Sequence, residues 1–476
     1  MANFDLTNLA VKMICPNNVV KTDDTDLPSV LVYIPKFKNS DVLTGGNDST
    51  HPAFIVNGVE IPGFYYGKYQ AKVYNSVAYS LPGEDPTASI NFDTARARCE
   101  AKGAGWHLST NAEWAAIALW CKKNGFLPYG NNNYGKDSRE SNYKAVPSYY
   151  ESGKIARVAT GTGPISWSHD KTMAGIWDLN GNVWEWQGGI RLVWGELQIL
   201  ANNDAADPDN PQNATSTCWK AINAADGALV DPESKTTDSS AHVSGKTVKL
   251  DYVNNKWTYS TSITNAKDES RSCAFYQVAA DSSIGDAAKV MLRALALLPD
   301  SDVTTDVYEG DYMWWNNGVA ERCVSRGGYW YYGASAGVFS LDGDYSRGRV
   351  STSVGFRAAC VRFICDSDTL DDLDSDKKQP EPKKRSILAP DFIGRIKQAL
   401  ARQFQKLYEA AHGEDPEGFA ELAEKATDEE LAKAAKLSAT LAQVNAAVDM
   451  YELTAKQLKL AATTSITIKT EVNDHE

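Results

Sequence analysis

Apolar positions first fall into short runs and helical stripes, then vanish across an acidic stretch, and finally return at heptad-like spacing. Residues 29–37 (SVLVYIPKF) and 61–71 (IPGFYYGKYQA) are short, β-branched and aromatic, and predict strands. Residues 93–102 (DTARARCEAK) predict a helix ended by Gly103. Thr110 to Glu113 has capping-box spacing and opens a second helix, through Trp114, Ile117 and Trp120 to Gly125. Residues 125–175 are punctuated by Gly, Asn and Ser and read as loop. The stretch 196–307 differs in kind: a polar segment, then TVKLDYV and KWTYSTS around Asn254-Asn255, a hairpin signal, then an apolar helix from Ile284 to Leu298 stopped by Pro299. It separates two motif blocks and reads as an insertion with its own hairpin-plus-helix subdomain.

Beyond residue 363 the pattern changes twice. Asp366, Asp368, Asp371, Asp372, Asp374 and Asp376 precede KKQPEPKKR, a linker composition over 364–386. After Asp391, Phe392, Ile396, Leu400, Phe404 and Leu407 share one helical face, and Thr427 with Glu430 forms another capping box. Leu437, Leu441, Val444, Val448, Tyr451, Ala455 and Leu458 then alternate steps of four and three. Both a coiled coil, up to ~50 Å long at ~1.5 Å per residue, and a helical hairpin within the chain fit that spacing. The expected organisation is an N-terminal segment (1–45), a main domain (46–363, insertion 196–307), a charged linker (364–386) and a helical module (387–476).

Composition narrows the function classes. At 476 residues the chain has room for about three domains. A net charge of −13 makes nucleic acid and anionic lipid poor partners. No apolar run reaches the roughly 18 residues of a membrane span, so no membrane insertion is expected. The N-terminus has neither the basic nor the apolar region of a secretory signal. Eight cysteines without a CxxC, and six histidines never at ligand spacing, predict buried thiols and synthesis in a reducing cytoplasm. The abundance of Trp (13) and Tyr (22) suggests many aromatic anchors.

Three blocks carry the chemistry. They are Trp106-His107-Leu108-Ser109-Thr110-Asn111-Ala112-Glu113-Trp114; Gly175-Ile176-Trp177-Asp178-Leu179-Asn180 running into Gly181-Asn182-Val183-Trp184-Glu185-Trp186; and Ser325-Arg326-Gly327-Gly328 with a closing Gly355-Phe356-Arg357. In this order, over roughly residues 60–195 and 308–363, the chain resembles the formylglycine-generating-enzyme (sulfatase-modifying factor) family. The resemblance implies an α+β architecture, a C-type lectin fold of the formylglycine-generating-enzyme type. Arg326, Gly327, Gly328, Trp184, Trp186, Phe356 and Arg357 would be its scaffold. The family's oxidase holds copper through two cysteines, at positions that here are Tyr332 and Gly337; related iron enzymes need three histidines that have no counterpart. No copper or iron is therefore expected. The family's calcium site falls on Asp178, the carbonyls of Gly181 and Val183, and Glu185, hard oxygen donors suited to structural Ca²⁺. Equally, Asp178 and Glu185 could serve only the loop's own amides.

Residues 326–357 (RGGYWYYGASAGVFSLDGDYSRGRVSTSVGFR) resemble the variable region of proteins diversified by retroelements, which carry this lectin-type fold. In those systems adenines are randomised, typically in AAC codons; this reaches Tyr, Ser, Asp, Gly, Thr and Arg but never Lys, Glu, Gln, Met or Trp. Residues 329–353 hold four Tyr, five Ser, four Gly and two Asp, with no Lys, Glu, Gln or Met. Trp330 is the exception and reads as fixed scaffold, with Gly337, Val338 and Phe339. Without the resemblance, such a composition is still paratope chemistry: rigid amphipathic rings beside small adaptable polar groups. Tyr329, Tyr331, Tyr332, Asp342, Asp344 and Tyr345 are the expected anchors; Ser335, Gly348, Arg349, Ser351 and Ser353 are the expected rim. The polar run Leu341–Tyr345 argues against a buried strand. The aromatic run Tyr308–Asn317 either extends the binding face or packs the core.

The resulting expectation is a binding protein and no catalyst: a phage or prophage tail-tip adhesin, located on the virion. Its partners would be a host cell-surface receptor (protein or glycan) and other phage tail proteins. A homo-oligomer, a trimer as in relatives of this kind, would add avidity. The alternatives are a metal oxidase of the sulfatase-modifying kind and a host-encoded cytoplasmic variable binding protein.

Overall fold

The β-branched runs near the N-terminus build β1 (Asn18–Thr22) and β2 (Pro28–Pro35), and the aromatic run after them builds β3 (Gly63–Gly67). In this computed structural model the described residues are 8, 11–12, 14–23, 27–301, 303 and 305–361. The linker (364–386), the helical module (387–476) and with it the 437–458 run lie outside them. Strand β3 is shorter than the expected 61–71, because the chain leaves the sheet at Lys68 and re-forms as a separate pair, Ala71–Tyr74 with Val77–Ser80.

Helix α1 (Phe92–Glu100) starts at Asn91, whose side chain accepts from Thr94 N at 2.8 Å. After β4 (Trp106–Leu108), α2 (Asn111–Lys123) opens with the expected capping box: Glu113 N donates to Thr110 Oγ1, and Thr110 N to Glu113 Oε2. Its residues are buried nearly all round, as befits a helix enclosed by sheet and loops. Within the expected loop 125–175, β5 (Pro147–Glu151) and β6 (Lys154–Val158) form a small hairpin.

Then come β7 (Trp184–Val193), β8 (Glu196–Ile199), β9 (Ser244–Val253), β10 (Lys256–Ser262) and β11 (Arg271–Ala274). Asn254 and Asn255 turn β9 into β10 with φ of 52° and 60°, as a two-residue hairpin requires. Helix α3 (Asp286–Ala294) stops short of Leu298. Its freed carbonyls are taken by side chains: Ala294 O meets His51 Nε2 at 2.8 Å, and Leu295 O accepts from Asn111 Nδ2 at 3.1 Å. Finally β12 (Tyr312–Trp315), β13 (Arg322–Arg326), β14 (Leu341–Tyr345), β15 (Val354–Phe356) and β16 (Ala358–Cys360) complete the domain.

The architecture is mixed α+β, mostly sheet. A five-stranded antiparallel sheet runs β1-β2-β3-β16-β4, so the last strand closes against an early one. A twelve-stranded sheet runs β11-β12-β14-β13-β7-β8-β9-β10, with short strands at its margins and β15 parallel to β7. The stretch 196–307 thus adds strands to the main sheet instead of standing apart. The core also begins before residue 46, since Val19, Leu31, Val32, Ile34 and Val42 are buried. Ten of the thirteen tryptophans are fully buried, so the aromatic surplus is chiefly core.

Candidate ligand-binding site

The segment 326–357 runs from the end of β13 through β14 to β15, all in the large sheet, and a buried arginine holds each end. Arg326 donates to Asn111 Oδ1 from Nε (3.0 Å) and Nη2 (2.8 Å), and to the carbonyls of Leu295 (3.2 Å) and Ala296 (3.1 Å). The end of α3 therefore buttresses this anchor. Its cation meets neutral oxygens, and burial pulls its pKa down. Arg357 instead forms a two-pronged pair with Glu185 at 2.8 and 2.7 Å, and donates to Gly67 O and Trp177 O. Beyond Arg326 the backbone turns at Gly327 and Gly328, both at positive φ (93° and 82°); a Cβ on Gly328 would sit 2.3 Å from that of Ala336.

Between the anchors, side chains sort by type. Trp330, Val338, Phe339 and Leu341 are buried, and Trp114 Nε1 donates to Val338 O at 2.7 Å. Gly337 cannot carry a Cβ, which would lie 2.0 Å from Asp311 Oδ1. Tyr331, Gly348 and Arg349 are exposed, and Tyr332, Ser335, Asp344, Tyr345 and Ser351 half-buried. The rings are brought together: Tyr329 lies 4.5 Å from Tyr331 and 4.4 Å from Tyr332, and Tyr332 stacks on Trp314 at 4.8 Å. Tyr345 packs edge-on to Trp186 at 6.1 Å, and the Arg349 guanidinium lies 5.3 Å from the Tyr345 ring. Burial raises the pKa of Tyr329, Tyr332 and Tyr345, so their hydroxyls remain protonated at neutral pH.

Three expected contact residues are covered. Tyr329 is wedged under its neighbours' rings, Ser353 accepts from Trp184 N on its backbone carbonyl (2.8 Å), and Asp342 is the buried second residue of β14. The polar run Leu341–Tyr345 is a strand after all, buried over its first three residues and flanked by β12 and β13. Its polarity is tolerated because Asp342 receives Asp344 N at 2.9 Å and a hydrogen bond with Tyr345, while burial lifts its pKa to about 7. The run Tyr308–Asn317 divides: Tyr308, Met313 and Trp315 are core, whereas Trp314 supports Tyr332.

The loop expected to bind calcium gathers its oxygens around another group. Gln70 Nε2 lies 3.1 Å from Asp178 O, 3.4 Å from Gly181 O, 3.2 Å from Val183 O and 3.0 Å from Glu185 Oε1. Its orientation is set by Asn182 Nδ2, which donates to Gln70 Oε1 at 2.8 Å. Asp178 offers this centre its carbonyl; its carboxylate accepts from Gly161 N at 2.9 Å, leaves Oδ1 without a partner, and is lifted by burial to about pKa 6. With an amide nitrogen at the focus and Arg357 on Glu185, the residues present do not fit a calcium ion. Gly181 (φ 77°) is required, for a Cβ would lie 2.2 Å from Asn131 O.

Gln70 lies outside every motif, and nothing in its local sequence announces it. Tyr134 is a second residue that pattern alone misses: it stacks on Tyr331 (6.2 Å, 15°), and its N–H donates to Trp330 O at 2.7 Å. Together these features make a rigid aromatic platform with a charged, adaptable rim, suited to non-covalent recognition.

No protein-family model matches the chain, and no curated protein does. Among solved structures it is similar to Treponema denticola variable protein 1, at 13% identity and a TM-score of 0.25, over 72% of this chain and 98% of that one.

Proposed function

We propose that this chain is a binding protein rather than an enzyme, and that residues 329–353 are its retroelement-diversified contact surface. The observation that carries the reading is the sorting within that segment. Eight of the eleven expected contact residues reach solvent, while Trp330, Val338, Phe339 and Leu341, and the arginine at each end, are buried. Variation at the exposed positions Tyr331, Gly348 and Arg349 would leave the scaffold's packing untouched, which a diversified surface requires. The fold we assign is a C-type lectin fold of the formylglycine-generating-enzyme type. The positions of that family's copper thiolates hold the Tyr332 ring and the Cβ-intolerant Gly337, which supports binding over oxidation.

As its setting we propose a phage or prophage tail tip, where the surface would contact a host cell-surface receptor; trimerisation through the 437–458 spacing would add avidity. Sequencing downstream of the gene tests the core of the reading. A near-copy of the codons for 326–357, mismatched only at adenines and accompanied by a reverse transcriptase gene, is the expected result. A repeat-free locus would overturn diversification and leave a fixed binding surface. Tail genes beside the coding sequence would support the virion setting.

A further inference from the structure

An open aromatic cleft lies next to the tyrosine platform, in a part of the chain that residues 329–353 do not include. Asn133, Tyr134, Lys136, Tyr143, Tyr150 and Lys154 line an open cleft of about 420 Å³. Tyr143 and Tyr150 are 67% and 59% exposed, unusual in a domain that buries most of its large aromatics. The Lys154 ammonium lies 4.6 Å from the centroid of Tyr134, whose ring stacks on Tyr331 of the variable segment. Lys154 is paired across the hairpin with Glu151, yet that carboxylate turns away to accept from Thr352 Oγ1 at 2.8 Å. Lys136 donates to Ser141 O at 3.2 Å, not to an acid. Among the described residues neither ammonium is held in an ion pair, in a chain of net charge −13.

Residues flanking the cleft's lining are hydrogen-bonded to the variable segment. Gly333 N donates to Asn132 O at 2.9 Å, and Arg157 Nη1 to Thr352 O at 2.9 Å. The cleft's own stretch contains Lys136, Glu140, Lys144, Glu151 and Lys154, residue types that adenine changes in AAC codons never produce.

We infer that this cleft is a constant subsite for an acidic saccharide, gripping an invariant part of a ligand whose remainder meets residues 329–353. The inference rests on the binding reading above. Exposed tyrosine faces match the C–H faces of a sugar ring, and side-chain ammonium groups match its carboxylate.

Calorimetric titration of the full chain with tetragalacturonate, maltotetraose and tetraglutamate tests this. Tetragalacturonate should bind and weaken as salt is added, while neutral maltotetraose should not bind. Tyr143→Ala combined with Tyr150→Ala, and separately Lys154→Gln, should each weaken binding about tenfold without shifting the melting temperature, because these side chains are exposed. Failure to bind tetragalacturonate, equal binding of maltotetraose, indifference to the cleft variants, or binding of tetraglutamate alone would each overturn the inference. A repeat-free locus would instead sink the diversified reading, and the titration would still judge the cleft.

Discussion

Replacing Gln70 tests whether an amide has taken the place of a cation in this fold. The two N–H groups of Gln70 are shared among four oxygens at 3.0–3.4 Å, all within the buried core. Gln70→Ala strips those donors, and each buried acceptor left bare costs ~1–3 kcal/mol, or roughly 2–6 kcal/mol for two bonds. At about 2 °C per kcal/mol for a domain of this size, the melting temperature should fall by roughly 4–12 °C. Asn182 is spared the full effect, since its Nδ2 also donates to Val158 O at 3.1 Å. Gln70→Glu is the sharper variant. It keeps the shape but sets a carboxylate about 3 Å from Glu185, a repulsion of roughly 5 kcal/mol at an effective dielectric constant near 20. In chelator it should therefore melt at least as low as Gln70→Ala. Its added charge completes a set of hard oxygens, so calcium at ~100 times its dissociation constant should restore ~2.7 kcal/mol, about 5 °C. Scanning calorimetry of the three proteins in chelator and in excess calcium reads these shifts directly. The unaltered chain should melt at one temperature in both. If instead it gains as much from calcium as Gln70→Glu does, the amide is a placeholder that swings aside for a resident ion, and the reasoning fails.

Further outcomes follow from the same geometry. Tyr331→Ala should change stability by no more than ~0.5 kcal/mol, whereas Tyr329→Ala, two positions earlier but buried, should cost roughly 3 kcal/mol; chemical denaturation distinguishes them. Glu185→Gln leaves Arg357 charged and unpaired in the core and should cost ~3–5 kcal/mol by the same measurement. Burial holds the Asp342 carboxyl near pKa 7 in the folded chain, against ~3.9 unfolded, so the native state binds that proton more tightly. Its stabilising contribution is complete below about pH 4 and drains away as pH rises through about 7, by roughly 4 kcal/mol at most. Asp342→Asn should flatten that part of the stability–pH curve, while the similar slope from Asp178, centred near pH 6, persists in both proteins.

Where a signal is local, the chain's pattern was legible in advance. The Thr110–Glu113 capping box, the Asn254-Asn255 turn and the start of α1 need only neighbouring residues, and each lies where periodicity and turn chemistry put it. Helix α3 shows the limit: its apolar run continues to Leu298, but Arg326 and Asn111 bind its last carbonyls and the helix ends four residues early. The Leu341–Tyr345 run shows another, since a strand's burial depends on the strands beside it, and here β12 and β13 enclose polar residues whose hydrogen bonds Asp344 N and Tyr345 supply.

For the candidate site, composition alone marked which residues are of the codon-compatible types, and the Arg-Gly-Gly and Gly-Phe-Arg ends bound the stretch proposed to vary. Residue type is a property of the chain, so that much belongs to the sequence. Which tyrosines face solvent, that Tyr134 extends their platform, and that Gln70 occupies the focus of the expected metal loop were decided by tertiary structure. These residues lie 112 positions from Asn182 in the case of Gln70, and far from Tyr331 in the case of Tyr134. Only folding brings such groups together, because hydrogen bonds and ring contacts act over a few ångströms whatever the distance along the chain.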